Sequence, residues 1–422
     1  MTRLLATLLL VLAAGSTAAQ QAPQPAARAP ALHLRGGQWF DGERFGPSEW
    51  YAVGGRFTRT RPARVDAVVD LTGRWVIPPL AEAHAHDLQN SWNAASNAAA
   101  YLRRGVLYTV QMCATPGDVA PYRGFLDGPA APDVLWADGC ISSSDGHPLG
   151  MALAGAKAAG MEVKPEDVRD KSYWSVDTPA DLATRWDRIA ASKPKLIKVI
   201  LIDAANYAAN RANPALFGHN GLDPALVPEI VRRAHGVGAK VAAHIDTADD
   251  FARAAGAGVD MVAHLPGYRF ARGKTAADYR LSDAAIAEAK RRGTVVITTV
   301  AAARYFLQAR PGERAALMAN HADNLRRLRA AGVRLALGSD VYGGSVVDEV
   351  RAVDGLQVMT RPELLRVAVA DTPRLLFPDR RVGAFAEGAE ASLVALEADP
   401  LADLGALERV ALVIKRGAVH AP

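Results

Sequence analysis

From Trp75 to Leu337 the chain alternates short apolar runs with Ala-rich windows of helical period, and it does so eight times. The strand candidates are Trp75–Ala83, Leu107–Met112, Val134–Ala137, Leu196–Leu201, Lys240–His244, Met261–His264, Thr294–Thr299 and Arg334–Leu337. Helical windows between them include Ala94–Arg104, Ala180–Ser192, Pro224–His235, Ala248–Ala255, Asp283–Arg292 and Pro311–Ala330. Strands apolar on both faces, separated by helices, belong in a parallel sheet covered on both sides. Eight such units over about 300 residues predict an α/β fold, a (β/α)8 TIM-type barrel. The longest irregular stretch, Ile141 to Asp177, follows the third strand, where an insertion roofs a barrel's mouth.

The flanks have another texture. Leu32–Arg35, Glu49–Val53, Arg56–Thr58 and Ala67–Leu71 are short β-like pieces separated by Gly and Pro, with no helical period. After Val382 short strands return at Ala391–Leu396 and Val410–Lys415. The expectation is a small β-sandwich-like domain built from residues 31–74 and 383–422, around a barrel of residues 75–382. Ahead of both, Met1–Ala19 carries Arg3, an apolar core from Leu4 to Ala14 and small residues at Ser16–Ala19. That is the make-up of a cleaved secretory signal peptide, followed by a disordered Ala/Pro/Gln leader over residues 20–30. A periplasmic or secreted protein is expected.

Composition narrows the partners. Forty-nine basic residues against 44 acidic ones leave a net charge of +5 with no long run of one sign. A clustered basic face is what nucleic acid or a membrane surface would need. Neither is expected, and no membrane anchor; a small-molecule substrate is, while a homo-oligomer is left open. Two cysteines, Cys113 and Cys140, are too few for a disulfide framework. One bridge between them and two buried thiols both remain open.

Chemistry gathers at the strand ends. The first strand closes on His84-Ala-His86, and residues i and i+2 of a strand share a face, so the two imidazoles can meet at one ion. The fifth strand ends at His244, the sixth at His264, and the eighth runs into Gly338-Ser-Asp340. Lys198 interrupts the apolar fourth strand, where an unpaired ammonium is costly; a carboxylate such as Asp203 would be an ordinary partner. Four histidines and an aspartate on one rim predict a metal site.

These residues resemble the metal-dependent amidohydrolase superfamily, in its imidazolonepropionase-like and prolidase-like branch. The resemblance runs from the β piece near Leu34 to the end. It rests on Ile77-Pro-Pro-Leu-Ala-Glu-Ala-His-Ala-His86, Lys198, the segment His244–His264, Gly338-Ser-Asp340 and the closing Gly383–Leu396. It implies that His84, His86 and Asp340 hold one divalent ion, that His244 and His264 hold a second, and that Lys198, carbamylated by CO2, bridges them. Zinc is the favoured metal. The chain departs from the family at Pro79 and Glu82, where Gly and Asp are usual, and at Ser392, where an Asp is usual. The turn after His244 is Asp246-Thr-Ala-Asp249 rather than Gly-containing, so a dipeptide substrate is not carried over.

Two ions sharing a water would lower its pKa toward neutrality and supply hydroxide, with Asp340 as general base. The expected reaction is hydrolysis of an amide-like C–N bond in a cyclic amide, a peptide-like molecule or a related small substrate. Substrate contacts are expected from Asn90, Gln111, His147, Tyr207, Tyr268 and Arg269, all near strand ends. Two alternatives stay open: a one-metal deaminase-type enzyme on the same barrel, and a non-catalytic periplasmic binding protein. The leader gives the first test. N-terminal sequencing of the protein exported by its own host should begin near Ala19 or Gln20, and an intact Met1 would contradict it.

Overall fold

The computed structural model describes residues 30–421 apart from 90, 92, 115, 127, 272 and 307–310. The signal peptide at 1–19 and nearly all of the leader lie outside the described residues. Eight parallel strands pair in chain order: Leu80–Ala85, Val106–Ala114, Asp133–Ser142, Leu196–Ile200, Lys240–His244, Met261–Val262, Val295–Ile297 and Arg334–Ala336. Side chains alternate across this wall. Ile197, Val199, Val241, Ala243, Val262, Val296 and Leu335 pack with the surrounding helices. Ala81, Ala83, Leu196, Ala242, Met261, Val295, Ile297 and Ala336 fill the other face. Lys198 shares the parity of Leu196 and is therefore turned to the lumen.

The first strand candidate divides in two. Trp75–Ile77 pairs with Leu393–Leu396 and with Gln38–Phe40, outside the barrel. Pro78 and Pro79 have no N–H to give a ladder, so pairing stops there and resumes at Leu80, whose N–H donates to the Gly105 carbonyl at 3.0 Å. The flanking segments form two sheets. One orders Arg56–Thr58, Trp50–Val53, Leu32–Arg35 and Ala67–Asp70; the other orders Ala418–His420, Val410–Lys415, Leu393–Leu396, Trp75–Ile77, Gln38–Phe40 and Phe45–Pro47. Leu34, Trp39, Trp50, Phe57, Val76, Leu393 and Ile414 are buried together between them.

The insertion after the third strand is more regular than its sequence suggests. It holds helices at Leu149–Ala158 and Pro165–Val168 and a two-residue strand, Trp174–Ser175, that pairs with the end of the third strand. Cys113 and Cys140, at the ends of the second and third strands, are joined by a disulfide with Cα atoms 4.8 Å apart. Among the described residues no helix is long and apolar enough to cross a membrane.

Closure of the barrel depends on the first and eighth strands. Ala83 N–H donates to the Leu337 carbonyl at 2.9 Å, and Asp340 N–H donates to the His84 carbonyl at 3.0 Å. Buried Glu82 adds to the seam: one carboxylate oxygen accepts from His84 N–H and Ser339 N–H, each at 2.8 Å. Gly338 is what lets the strands approach, since a Cβ there would lie 2.6 Å from His84 N and 2.9 Å from its Cβ. Gly338→Ala must therefore push the seam apart. Its unfolding free energy, read by urea titration, should fall by about 1–3 kcal/mol, the usual scale of overpacking. Unchanged stability would mean that the two strands can give way.

Candidate metal centre

The side chains that end the first, fourth, fifth, sixth and eighth strands converge on one point of the rim. His84 Nε2 and His86 Nε2 are 3.3 Å apart, and Asp340 Oδ1 lies 3.5 Å from the first and 3.4 Å from the second. Donor atoms about 2.1 Å from one ion at tetrahedral angles are about 3.4 Å apart, so these three atoms have the edges of a ligand set. His84, His264 and Asp340 also offer ligand atoms within 4.8 Å of one another. His264 packs on both sides of the gap, its ring 4.6 Å from that of His84 and 4.4 Å from that of His244. Lys198 is buried, with Nζ 3.2 Å from His84 Nε2. Its suggested partner Asp203 is elsewhere, paired with Lys274 at 2.9 Å.

Three of the four imidazoles have Nδ1 held by a hydrogen bond. His84 Nδ1 meets the Ala263 carbonyl at 3.0 Å, and His86 Nδ1 meets Gln89 Oε1 at 3.3 Å. His264 Nδ1 meets Thr299 Oγ1 at 3.1 Å and the Tyr268 hydroxyl, while its Nε2 is buried with no hydrogen-bond partner. His244 Nε2 lies 3.3 Å from Asp246 Oδ1. Ligating histidines have this arrangement, one nitrogen held by a neighbour and the other presenting its lone pair. The donor set, the spacing and the orphaned Nε2 all fit a divalent ion.

Electrostatics keeps the histidines neutral. Burial first, then the Lys198 charge, pushes His86 and His244 down to about 3 and holds His84 well below the ordinary range. His264 is lowered likewise by burial and by its histidine neighbours. Lys198 and Asp340 form a coupled pair: burial lowers the lysine and raises the aspartate, and each charge opposes the other's shift. Burial raises Glu82 to about 8, against the two N–H bonds that it accepts.

The expected substrate groups take different places. His147 stacks on His244, with ring centroids 5.4 Å apart, and its backbone N–H bonds to the Asn220 carbonyl at 2.8 Å. Tyr268 reaches Asp340 Oδ2 at 3.0 Å. Arg269 is exposed, with its charge felt at Asp246. Gln111 is buried and uses its amide on Leu88 N–H (2.8 Å) and the Met112 carbonyl (3.1 Å). Tyr207 is half-buried in the field of Arg211, Asp223, Asp177 and Asp145, apart from the histidine cluster among the described residues. Asn90 lies outside the described residues. Sequence reasoning passed over Thr299 and Asp246 as site residues, although both stand at strand ends.

The fold is a closed (β/α)8 barrel with a histidine-rich rim, and comparison with known proteins finds the same architecture elsewhere. No family model matches the chain. An uncharacterized protein of Mycobacterium tuberculosis is 26% identical over 421 residues, covering 94% of this chain and 98% of that protein. A prolidase solved with N-methylphosphonate-L-proline superposes with a TM-score of 0.72 at 20% identity, covering 93% of this chain and 99% of its own. The A. niger ochratoxinase gives 0.72 at 18% identity, over 94% and 96%. The shared feature is the fold, that of prolidase-like amidohydrolase structures.

A direct test of the centre is metal content. His84→Ala removes the nitrogen central to the cluster, and the purified variant should carry at least one zinc fewer per chain than wild type while its far-UV circular dichroism is unchanged. Equal zinc in both proteins would remove His84 from the ligand set.

Proposed function

We propose that this protein is an exported, metal-dependent hydrolase of an amide-like C–N bond. The observation that carries the reading is the convergence of four imidazoles, Asp340 and Lys198 on the C-terminal rim of one barrel. The likeness of the fold to a prolidase and to other amidohydrolase structures supports hydrolysis as the reaction class. His84, His86 and Asp340 would hold one divalent ion, His244 and His264 a second, and carbamylated Lys198 would bridge them.

Two such ions, zinc being favoured, would polarise the scissile carbonyl and acidify a shared water. The chain does the rest. Asp340, turned to the rim and held at Oδ2 by the Tyr268 hydroxyl, takes the proton from the attacking water and returns it to the leaving nitrogen. His147, stacked against His244, is placed to donate to the carbonyl oxygen as charge builds there. Tyr268 and Arg269 lie along the open side, where a substrate carboxylate or oxyanion would sit. The substrate class is a cyclic amide, a peptide-like molecule or a related small compound.

Lys198 separates this reading from a one-ion deaminase. Left as an ammonium among neutral histidines and cations it would be repelled and poorly solvated; as a carbamate it is an anion with two ligating oxygens. The amine nitrogen attacks CO2 and loses a proton, and no other reactant is needed. Lys198→Ala should lose metal and drop turnover on the order of 10²-fold or more, with partial recovery on adding a short carboxylic acid. Arg at this position should not restore it, because guanidinium stays charged. Full activity with full metal loading in Lys198→Ala would make this lysine a structural cation and favour the one-ion enzyme.

A further inference from the structure

Asp246 follows His244 by two residues, just past the end of the fifth strand, with Oδ1 3.3 Å from His244 Nε2. Its backbone is fixed at both ends. Its N–H donates to Asp250 Oδ2 at 3.1 Å, and its carbonyl accepts from Gly267 N–H at 2.9 Å. Asp250 is fully buried and also accepts from Asp203, Ala204 and Thr247 N–H groups at 3.0, 2.7 and 2.9 Å. One carboxylate thus ties the loop after the fourth strand to the loop after the fifth, and Gly267 adds the loop after the sixth. The Asp246 side chain projects from this knot toward the imidazole.

The other three histidines are held through Nδ1 by a carbonyl, an amide oxygen or hydroxyls. His244 differs in having no such Nδ1 contact: its close polar neighbour is the Asp246 carboxylate, at Nε2. A ring that donates Nε2–H must ligate through Nδ1, and a carboxylate acceptor makes that nitrogen a stronger donor to a cation. We propose that Asp246 is the positioning residue of His244: it fixes the tautomer that bares Nδ1 and so strengthens the ion shared with His264. This deepens, and rests on, the two-ion reading above. It also gives a physical role to the carboxylate that stands where dipeptidase relatives carry a Gly-containing turn.

The test is zinc titration of the metal-free full chain against a chromophoric competitor chelator, for wild type, Asp246→Ala and Asp246→Asn. Neither substitution touches the backbone bonds that fix the loop, so both variants should keep the wild-type melting temperature before loading. In Asp246→Ala one of the two zinc ions should bind about 10–100-fold more weakly, the usual effect of removing such a partner, while the other is unchanged. Asn retains an acceptor oxygen without the charge, and its loss should be smaller than that of Ala. Two ions bound by Asp246→Ala with wild-type affinities would overturn the proposal and leave the two-ion reading standing. Equal weakening of both ions would also overturn it, because Asp246 would then support the whole rim. Wild-type chain that takes up no zinc would overturn the two-ion reading itself, and this inference with it.

Discussion

The contact that the site depends on is the seam between the first and eighth strands. A parallel barrel closes only if its last strand finds its first, and here the meeting point lies beside the histidine cluster. The backbone bonds from Ala83 to Leu337 and from Asp340 to His84 set the height of Asp340 against the two histidines. Glu82 accepts from both strands with a single oxygen, and Gly338 leaves no Cβ to hold them apart. Closure and the geometry of the cluster are therefore one event, and the three edges of 3.3–3.5 Å among His84, His86 and Asp340 follow from strand register.

The second constraint is charge. A cluster of neutral imidazoles around a buried lysine and a half-buried aspartate is a poor place for an isolated cation or anion. Burial pushes every member toward its neutral form, and the opposite charges of Lys198 and Asp340 work against that. A bound cation with anionic ligands would stabilise such a set, and the buried Nε2 of His264, without a hydrogen-bond partner, is open to one. The partners of the occupied nitrogens come from different strands: Ala263 from the sixth, Thr299 from the seventh, Gln89 from the loop after the first. Loss of any one of them turns a ring without touching a ligand.

Much of this was legible in the sequence, and the reason is periodicity. The windows Asp283–Arg292 and Pro311–Ala330 end where their helices end, and the first carries its own caps, Ser282 and Gly293. Histidines at strand ends stand out because the runs before them are otherwise apolar. The division at Pro78-Pro79 was written in the residues but lost in a continuous apolar run; only the return of Leu393–Leu396 shows that Trp75–Ile77 serves the terminal sheet. Asp246, Asp250 and Thr299 were illegible for another reason. Their roles depend on which loops adjoin in space, and a short polar residue in a loop has no period to betray it. Gln111, by contrast, reads as a substrate group at its strand position, yet its amide is committed to the backbone.

Strain has a place in this fold as well. Cys113, Asp203, Thr299 and Asp340 all have left-handed backbones, with φ of 62°, 46°, 44° and 51°. They lie at the ends of the second, fourth, seventh and eighth strands, all on the rim. Each non-glycine residue in that region costs on the order of 1 kcal/mol or more, and such costs persist only where the surroundings enforce them. Each strand must turn sharply there to aim a side chain inward before its helix begins. The base of the barrel has the opposite character: Asp133, at the start of the third strand, binds Arg380 at 2.6 Å, Lys415 at 2.7 Å and Arg416, joining barrel to terminal sheets. Ion pairing and regular backbone hold the base, and the stability they supply is what lets the rim hold strained residues around a cluster of neutral bases.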